Sequence, residues 1–147
     1  MTRKKIKSIG PFRYISKKDK DKPFENELFS TNEVDLPFML TQNVGNTHVL
    51  VYDHQSQILA FIAFQDEGST FHIDLVESNR SLSNDIKPGT KLIKFVESLS
   101  LGFKYKKISL LSISARIPFY ESLGYSKVGK MFNDPVYGPV IKMSKKL

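Results

Sequence analysis

The chain contains no cysteine among its 147 residues. This absence excludes disulfide bonds, cysteine-ligated zinc, iron–sulfur clusters and catalysis by a cysteine nucleophile. Long hydrophobic runs are also lacking, since the longest, Ile58 to Phe64, is too short to cross a bilayer. No charged segment followed by an apolar one opens the chain, as a secretory signal would. We therefore expect a soluble, cytoplasmic protein with no membrane contact.

Motifs for nucleotide hydrolysis, metal binding and serine hydrolysis are missing as well. The tetrapeptide Pro88–Lys91 is not a Walker loop, because its lysine follows the threonine and the leading glycine is absent. His48, His54 and His72 do not have the spacing of metal ligands, and neither an HExxH nor a GxSxG pattern occurs. We therefore expect no metal site.

Positive charge exceeds negative charge in the composition. The 22 Lys and Arg residues outnumber the 15 Asp and Glu residues, which gives a net charge of +7. A basic surface favours an anionic partner, such as nucleic acid, a phosphorylated small molecule or an acidic protein face. The length and the 40% hydrophobic content suit one globular domain over residues 1–147, with residues 1–10 forming a flexible basic arm.

Hydrophobic periodicity predicts a mixture of strands and helices. Strands are predicted at Pro11–Ile15, Thr47–Asp53, Gln57–Phe64, Ser69–Ser78, Lys107–Ile113, Tyr125–Phe132 and Val136–Ser144. A helix with one apolar face is predicted from about Thr90 to Gly102, and Pro118 opens a short helix that Gly124 ends. One or two short helices are expected within Pro23–Thr41, interrupted by Pro37. The fold class is therefore α/β (α+β): a central mixed, mostly antiparallel sheet flanked by helices.

A candidate anion site lies between the strand that ends near Val76 and the helix that begins near Thr90. The first N–H groups of a helix have no partner within it, and the helix dipole favours negative charge there. Gly89, just before the helix, allows a phosphate to approach the backbone closely. This arrangement predicts phosphate binding, although strand–glycine–helix turns also occur without any ligand.

The segment Leu110–Gly129, LLSISARIPFYESLGYSKVG, carries a family resemblance. It places Phe119-Tyr120 and Leu123-Gly124-Tyr125 after an aliphatic strand. This resembles the Gcn5-related N-acetyltransferase (GNAT) superfamily, whose members carry an FY-x-x-x-GF helix after the central strand. The predicted order of elements resembles that superfamily from about Pro11 to Lys145.

The resemblance implies a site for acetyl-coenzyme A. In the family, a loop of the form Arg/Gln-x-x-Gly-x-Gly/Ala precedes the long helix. Here Asn84 stands where Arg or Gln is usual, Lys87 stands at the first glycine, and Gly89 matches the second. Gly89, Thr90 and Lys91 would offer backbone amides to the pyrophosphate, and the Lys87 ammonium could offset the missing glycine.

The resemblance also implies where the reaction occurs. Leu75, Val76 and Glu77 would pair with the pantetheine arm as a neighbouring strand would. Tyr120 would lie near the sulfur, where its hydroxyl can protonate the departing thiolate. The attacking amine must lose a proton, and Asp74 or Glu77 is the candidate base. Strand alternation puts these two carboxylates on opposite faces unless a bulge intervenes.

The function predicted from this resemblance is transfer of acetyl from acetyl-coenzyme A to an amine, by direct attack in a ternary complex. The acceptor is left open between a small amine and a peptide or protein amine. One alternative is a non-catalytic module of the same fold that binds coenzyme A or a protein partner. Domains of this shape often pair through edge strands, so a homodimer is one oligomeric state that the resemblance allows.

A third, different class is a nucleic-acid-binding protein that uses the basic ends of the chain and aromatic residues such as Phe12, Tyr14 and Tyr105. Basic and aromatic residues do not interleave on any one predicted strand or helix face. We therefore do not expect nucleic acid to be the partner.

Overall fold

The computed structural model describes residues 3–25, 35–82 and 85–147. Seven strands and three α-helices lie in these ranges, with two short 3-10 turns at Lys17–Asp19 and Ser114–Arg116. The strands are β1 (Phe12–Tyr14), β2 (Thr47–His54), β3 (Gln57–Asp66), β4 (Phe71–Ser78), β5 (Lys107–Ile113), β6 (Ser126–Asp134) and β7 (Gly138–Lys146). The helices are α1 (Leu36–Gln42), α2 (Pro88–Gly102) and α3 (Ile117–Ser122).

The strands form one mixed sheet in the order β1-β2-β3-β4-β5-β7-β6. β4 and β5 pair in parallel, and the other neighbouring strands pair antiparallel. α2 supplies the crossover that a parallel pair requires, because it lies between β4 and β5 in the chain. The predicted fold class, a central and mostly antiparallel sheet flanked by helices, is confirmed.

The two faces of the sheet bury separate cores. On one face α2 and α3 pack against the sheet, with Leu92, Val96 and Tyr120 in a large apolar cluster. On the other face α1 contributes Leu36 and Met39 to a smaller cluster. The apolar stripe predicted for α2 therefore lies against the sheet, as its spacing requires.

The tight turn between β2 and β3 uses Gln55 and Ser56, whose φ angles are 52° and 67°. Positive φ at both central residues gives a turn whose twist matches that of the flanking strands. The predicted hairpin therefore forms without a glycine at the turn.

Pro37 stands at the start of α1 rather than interrupting a helix. Pro37 lies in the first turn, where a backbone N–H would have no acceptor within the helix, so the missing N–H costs no hydrogen bond. Asp35 caps the helix, because its side chain accepts a hydrogen bond from the Phe38 N–H at 2.9 Å. Another part of the segment expected to hold short helices, residues 26–34, lies outside the described residues.

The basic arm contacts the sheet over the part that the structure describes. Ile6 is buried in the larger apolar cluster. Arg3 donates hydrogen bonds to Asn43 and lies 3.3 Å from Nδ1 of His48. No helix in the described ranges has the length and apolar character needed to cross a bilayer.

Candidate active site

β4 carries a bulge at Asp74. Ile73 pairs with Phe64 and Leu75 pairs with Ala63, so Asp74 is an extra residue on β4 between two consecutive pairs. A bulge reverses the alternation of the residues that follow it. Ile73 and Val76 consequently both pack into the larger core, while Leu75 packs against the smaller one. The bulge also changes the face of the strand on which the Glu77 side chain lies. Simple strand alternation, which would put Glu77 on the face opposite Asp74, therefore does not hold here.

β4 and β5 are joined only along part of their length. Their pairing runs from Phe71–Ile108 to Ile73–Leu110, and β4 then continues to Ser78 without pairing to β5. The gap leaves backbone groups on the inner edge of β4 unbonded to a neighbouring strand.

A cavity of about 80 Å³ fills this gap and is called the inner cavity here. Its walls come from β4, β5, α3 and the turn between β6 and β7. Its lining includes Asp74, Val76, Ile113, Arg116, Tyr120, Asp134 and Tyr137.

A larger cleft of about 610 Å³ lies at the carboxyl end of β4. We call it the basic cleft, because three cationic side chains line it: Arg80, Lys87 and Arg116. Val76, Phe119 and Leu123 supply apolar wall, and Gly89 and Thr90 lie at the start of α2. Val76 and Arg116 line both the basic cleft and the inner cavity, so the two spaces adjoin. A negatively charged ligand with an extended apolar arm fits this arrangement.

The start of α2 is shaped by two backbone requirements. Lys87, which precedes the helix, has a φ of 57°, in the left-handed region that glycine adopts most easily. Gly89 packs closely on β4, because a Cβ there would lie 3.0 Å from Ser78 Oγ. The position that resembles the family's first glycine therefore has a glycine-like backbone although its residue is lysine. Asn84, the other departure from the loop pattern, lies outside the described residues.

The amides at the start of α2 differ in their partners. Pro88 has no N–H, and helix geometry leaves the N–H groups of Gly89 and Thr90 without partners inside the helix. The Lys91 N–H donates to the Lys87 carbonyl at 3.1 Å, and the Lys91 side chain does not line the basic cleft. Gly89 and Thr90 are therefore the amides placed to receive an anion.

Tyr120 reaches the inner cavity from α3. The short helix starts with Pro118 in its first turn, and Tyr120 is 5% exposed. Burial raises the pKa of Tyr120 to about 12, against a lowering by the charge of Arg116. The hydroxyl therefore stays protonated at physiological pH and can donate a hydrogen bond into the cavity.

Two carboxylates on β4 lie at adjoining spaces of the site. Burial raises the pKa of Asp74, although a hydrogen bond from Gln65 at 3.0 Å opposes the shift. Glu77 is 2% exposed, and its Oε2 lies 3.4 Å from an Arg116 nitrogen. Arg116 also donates to the Val76 carbonyl at 3.4 Å. Asp74 lines the inner cavity, whereas Glu77 lines the basic cleft.

A second, outer cavity lies next to the first. It has a volume of about 310 Å³, lies beside α1, and is lined partly by Phe38, Gln42 and Thr47. Four residues line both cavities: Asp74, Leu75, Leu111 and Tyr137. The basic cleft, the inner cavity and the outer cavity therefore form a series that runs from α2 to α1.

Most of the residues that the sequence singled out line these three spaces, but four further lining residues were not predicted from the sequence. Arg80 and Arg116 add positive charge to the basic cleft, and Asp134 and Tyr137 close the inner cavity. A signal existed for Arg80, because it is the second residue after β4, at the edge where Gly89 lies. Asp134 and Tyr137 come from the β6–β7 turn, and no pattern in the sequence links that turn to β4. Among the described residues, no group of His, Asp and Glu side chains could hold a metal ion.

Comparison with known proteins gives matches in structure alone. No family model matches the sequence. No curated protein matches it either.

Several solved structures share the fold. An aminoglycoside 6′-acetyltransferase type Ii matches with a TM-score of 0.63 and 20% identity, over 78% of this chain and 77% of that chain. A GNAT family acetyltransferase from Elizabethkingia anophelis with acetyl-CoA bound matches with a TM-score of 0.61 and 12% identity, over 75% and 82%. An IAA acetyltransferase from Bacillus cereus matches with a TM-score of 0.60 and 12% identity, over 76% and 84%.

These similarities cover most of each chain. The resemblance inferred from the Phe119–Gly124 segment is confirmed at the level of the fold. This chain has the fold of the Gcn5-related N-acetyltransferase superfamily.

Proposed function

We propose that this protein is an N-acetyltransferase that moves an acetyl group from acetyl-coenzyme A to an amine within a ternary complex. The observation that carries the proposal is the adjoining pair of spaces. A cleft lined by three cationic residues adjoins a cavity between two diverging strands, and the buried Tyr120 lines that cavity. Acetyl-CoA bound in one of the similar structures supports the choice of coenzyme.

The residues of the basic cleft match the parts of the coenzyme. Gly89 and Thr90 receive the pyrophosphate with their backbone N–H groups, where the helix dipole favours negative charge. Lys87, Arg80 and Arg116 add positive charge. The unpaired inner edge of β4 at Leu75–Glu77 takes the pantetheine amides as a neighbouring strand would.

The chemistry needs one proton acceptor and one hydrogen-bond donor. Asp74 takes the proton that the attacking amine loses, directly or through water, because partial desolvation raises its pKa above the usual value for an aspartate and makes it a better base. The amine nitrogen bonds to the acetyl carbon, the carbon–sulfur bond breaks, and the thiolate leaves. One proton lost by a neutral amine balances the one proton that the thiolate gains.

Tyr120 assists the departure of the thiolate. Complete transfer of a proton from a group whose pKa is about 12 to a thiolate is uphill, since thiols titrate near 8.5. Tyr120 therefore acts first as a hydrogen-bond donor that stabilises the developing charge on sulfur. The proton that Asp74 takes from the amine then passes to the thiolate, through water or through the Tyr120 hydroxyl, so that Tyr120 is protonated again at the end of the cycle.

A coenzyme A-binding module without turnover is the second candidate. It is favoured by Lys87, which stands where the loop pattern of the family has its first glycine. The hydrogen bond from Arg116 to the Val76 carbonyl uses a group that the pantetheine arm would otherwise bond, so coenzyme binding requires Arg116 to move in either candidate.

Calorimetric titration of ligand-free protein with acetyl-coenzyme A and with coenzyme A tests the coenzyme site. It is followed by measurement of thiol release with a panel of amines. Saturable binding with amine-dependent thiol release supports the enzyme. Binding without release for any amine supports the module, and no binding of either ligand overturns both.

A further inference from the structure

The two cavities on the acceptor side carry negative charge in a protein whose net charge is +7. Asp74 lines both cavities, and Asp134 lines the inner one. Their proximity is visible at Tyr137, whose pKa is raised by burial and then by the charges of Asp134, Asp74 and Glu77. Among the described residues that line these cavities, the one cationic side chain is Arg116, and it lies against Glu77.

Asp134 is held so that one carboxylate oxygen is available. Its Oδ1 accepts the backbone N–H groups of Val136 at 2.8 Å and Tyr137 at 3.0 Å. These two bonds fix the side chain in the β6–β7 turn. Among the described residues, Oδ2 has no hydrogen-bond partner, while the residue lines the inner cavity. The carboxylate is therefore oriented before any ligand arrives.

Apolar residues line the inner cavity together with Asp74 and Asp134, among them Leu111, Ile113 and Val140. In the outer cavity, which Asp74 lines and Asp134 does not, Phe38 and Tyr137 are 44% and 40% exposed. An aliphatic chain can cover such surfaces, and aromatic faces also attract a cation. Apolar walls that end in a carboxylate suit a short alkyl chain with a positive charge at its far end.

We propose that the acceptor is an aliphatic amine with a second positive charge, a diamine or polyamine, and that Asp134 binds this second charge. The inference rests on the proposed function, because it places the nucleophilic amine beside Asp74 and Tyr120. The assignment separates two carboxylates by role. Asp74 takes the proton from the reacting nitrogen, and Asp134 holds the nitrogen that does not react.

The charge of the cavities disfavours the other small amines. An amino acid carries a carboxylate next to its amine, and this group would lie near Asp74, Asp134 and Glu77. Like charges in a partly desolvated site repel each other. A monoamine meets no such repulsion but leaves Asp134 without a cation. Diamines are therefore bound best, monoamines less well and amino acids least.

Direct binding tests this ranking independently of turnover. Butane diamine, butylamine and aminobutyrate are titrated into the protein by calorimetry, with and without saturating coenzyme A. We expect the diamine to bind about tenfold more tightly than butylamine, as an ion pair of about 1.4 kcal/mol predicts. We expect no binding of aminobutyrate. Raising the salt concentration should reduce the advantage of the diamine.

A variant and a matched control locate the effect. Asp134→Asn keeps an oxygen for the two backbone N–H groups and removes the charge, so the turn is preserved. Its affinity for the diamine should fall to that of the monoamine. Asp21→Asn removes one charge from an exposed residue that lines neither cavity, and it should change nothing.

The outcomes separate this inference from the proposed function. Equal affinity for diamine and monoamine, binding of neither, or an Asp134→Asn variant that behaves like Asp21→Asn overturns the inference. Diamine selectivity that persists when coenzyme A does not bind removes the acetyltransferase while leaving the cation site. Coenzyme binding with transfer to monoamines and diamines at equal rates keeps the enzyme and removes the inference.

Discussion

Arg116 lies 3.4 Å from Glu77, and the two side chains differ sharply in exposure, 27% for Arg116 and 2% for Glu77. The arginine precedes α3, and the glutamate lies one residue before the end of β4. The pair therefore connects the segments that follow the two diverging strands, near the point where the basic cleft meets the inner cavity. Burial of a carboxylate is costly, and the attraction of a cationic neighbour offsets part of that cost. Removal of the cation therefore destabilises the folded protein.

Loss of this pair should therefore be measurable as stability. Arg116→Leu is expected to lower the free energy of unfolding by about 1 to 3 kcal/mol, because the buried Glu77 loses its cationic neighbour at 3.4 Å. Glu77→Gln in the same chain should recover much of that loss. Urea unfolding of both single variants and the double variant gives the coupling energy between the two residues. A coupling energy near zero would show that the pair does not stabilise the fold.

Replacement of Tyr120 tests the stabilisation of the thiolate. Tyr120→Phe should lower the turnover rate by about ten- to a hundredfold, because one hydrogen bond to a charged group is lost. The affinity for coenzyme A should change little, since the proposed contacts with the coenzyme lie mainly in the basic cleft. Steady-state kinetics and calorimetry separate the two effects. Tyr52→Phe, which removes a hydroxyl from a buried residue on β2, serves as the control.

The pH dependence of the rate gives a second test of Tyr120. Because its pKa is raised to about 12, the hydroxyl stays protonated well above pH 9. The rate should therefore show no decline from Tyr120 between pH 8 and about pH 10, where an ordinary tyrosine titrates. A fall in rate over that range that is absent from Tyr120→Phe would contradict the assignment.

Gly89 should be required for coenzyme binding. Gly89→Asp brings a negative charge to the pyrophosphate position and forces a side chain toward Ser78 Oγ, which an added Cβ would approach to 3.0 Å. Gly89→Ala carries the steric part alone, so the difference between the two variants isolates the charge. Gly102→Asp, at the far end of α2 with open space around it, should leave the coenzyme affinity unchanged. If Gly89→Asp binds coenzyme A normally, the phosphate site lies elsewhere.

Two lysines have a left-handed backbone conformation, and their comparison separates an effect of backbone strain on stability from an effect on coenzyme binding. Lys87 and Lys104 have φ angles of 57° and 63°, and glycine at either position relieves strain that costs about 1 kcal/mol. Both Lys87→Gly and Lys104→Gly should therefore raise the melting temperature. Only Lys87→Gly should weaken coenzyme binding, because Lys87 lines the basic cleft and Lys104 does not. Equal affinities in the two variants would remove Lys87 from the phosphate site.

The buried His48 should make the protein less stable in mild acid. Burial and the charge of Arg3 lower the pKa of His48 to about 4, against 6.5 in the unfolded chain. The unfolded state therefore binds more protons between these values, and stability falls as the pH decreases from about 6.5 to 4, by about 2 to 3 kcal/mol in total. Urea unfolding at several pH values measures this loss. His48→Gln should remove most of the slope within that window.

Asp19 acts in a different pH range. Hydrogen bonds from Arg13, Ser16 and Lys22 outweigh its burial and lower its pKa well below the usual value. The stability that it contributes is present above about pH 4 and is lost at lower pH, so it does not overlap the effect of His48. A His48→Gln variant with an unchanged slope between pH 6.5 and 4 would contradict the assignment to His48.

The sequence predicted those residues of the candidate site whose backbone conformation is determined by their neighbours in the chain. Gly89 precedes a helix with a clear apolar stripe, and Tyr120 lies in a short helix between Pro118 and Gly124. Each of these local patterns determines its own backbone. Gly89 packs against β4, and Tyr120 is buried in the larger apolar cluster. Packing on the sheet therefore holds both residues beside the gap between β4 and β5.

The remaining features depend on contacts between distant segments. The bulge at Asp74 results from the register of β4 against β3, and a strand's own sequence does not determine that register. Asp134 lies 60 residues from Asp74 in the chain, and the pairing of β7 with β5 brings its turn to the inner cavity. Arg116 is separated from Glu77 by a helix and a strand.

The short parallel contact between β4 and β5 has a consequence for the whole molecule. Three residue pairs join a four-strand half, β1 to β4, to a three-strand half, β5 to β7. An extended ligand between the two halves adds hydrogen bonds where the sheet has none of its own. The ligand would then act as an additional strand segment between β4 and β5. Its departure would loosen the connection between the two halves, while the strands within each half would stay paired.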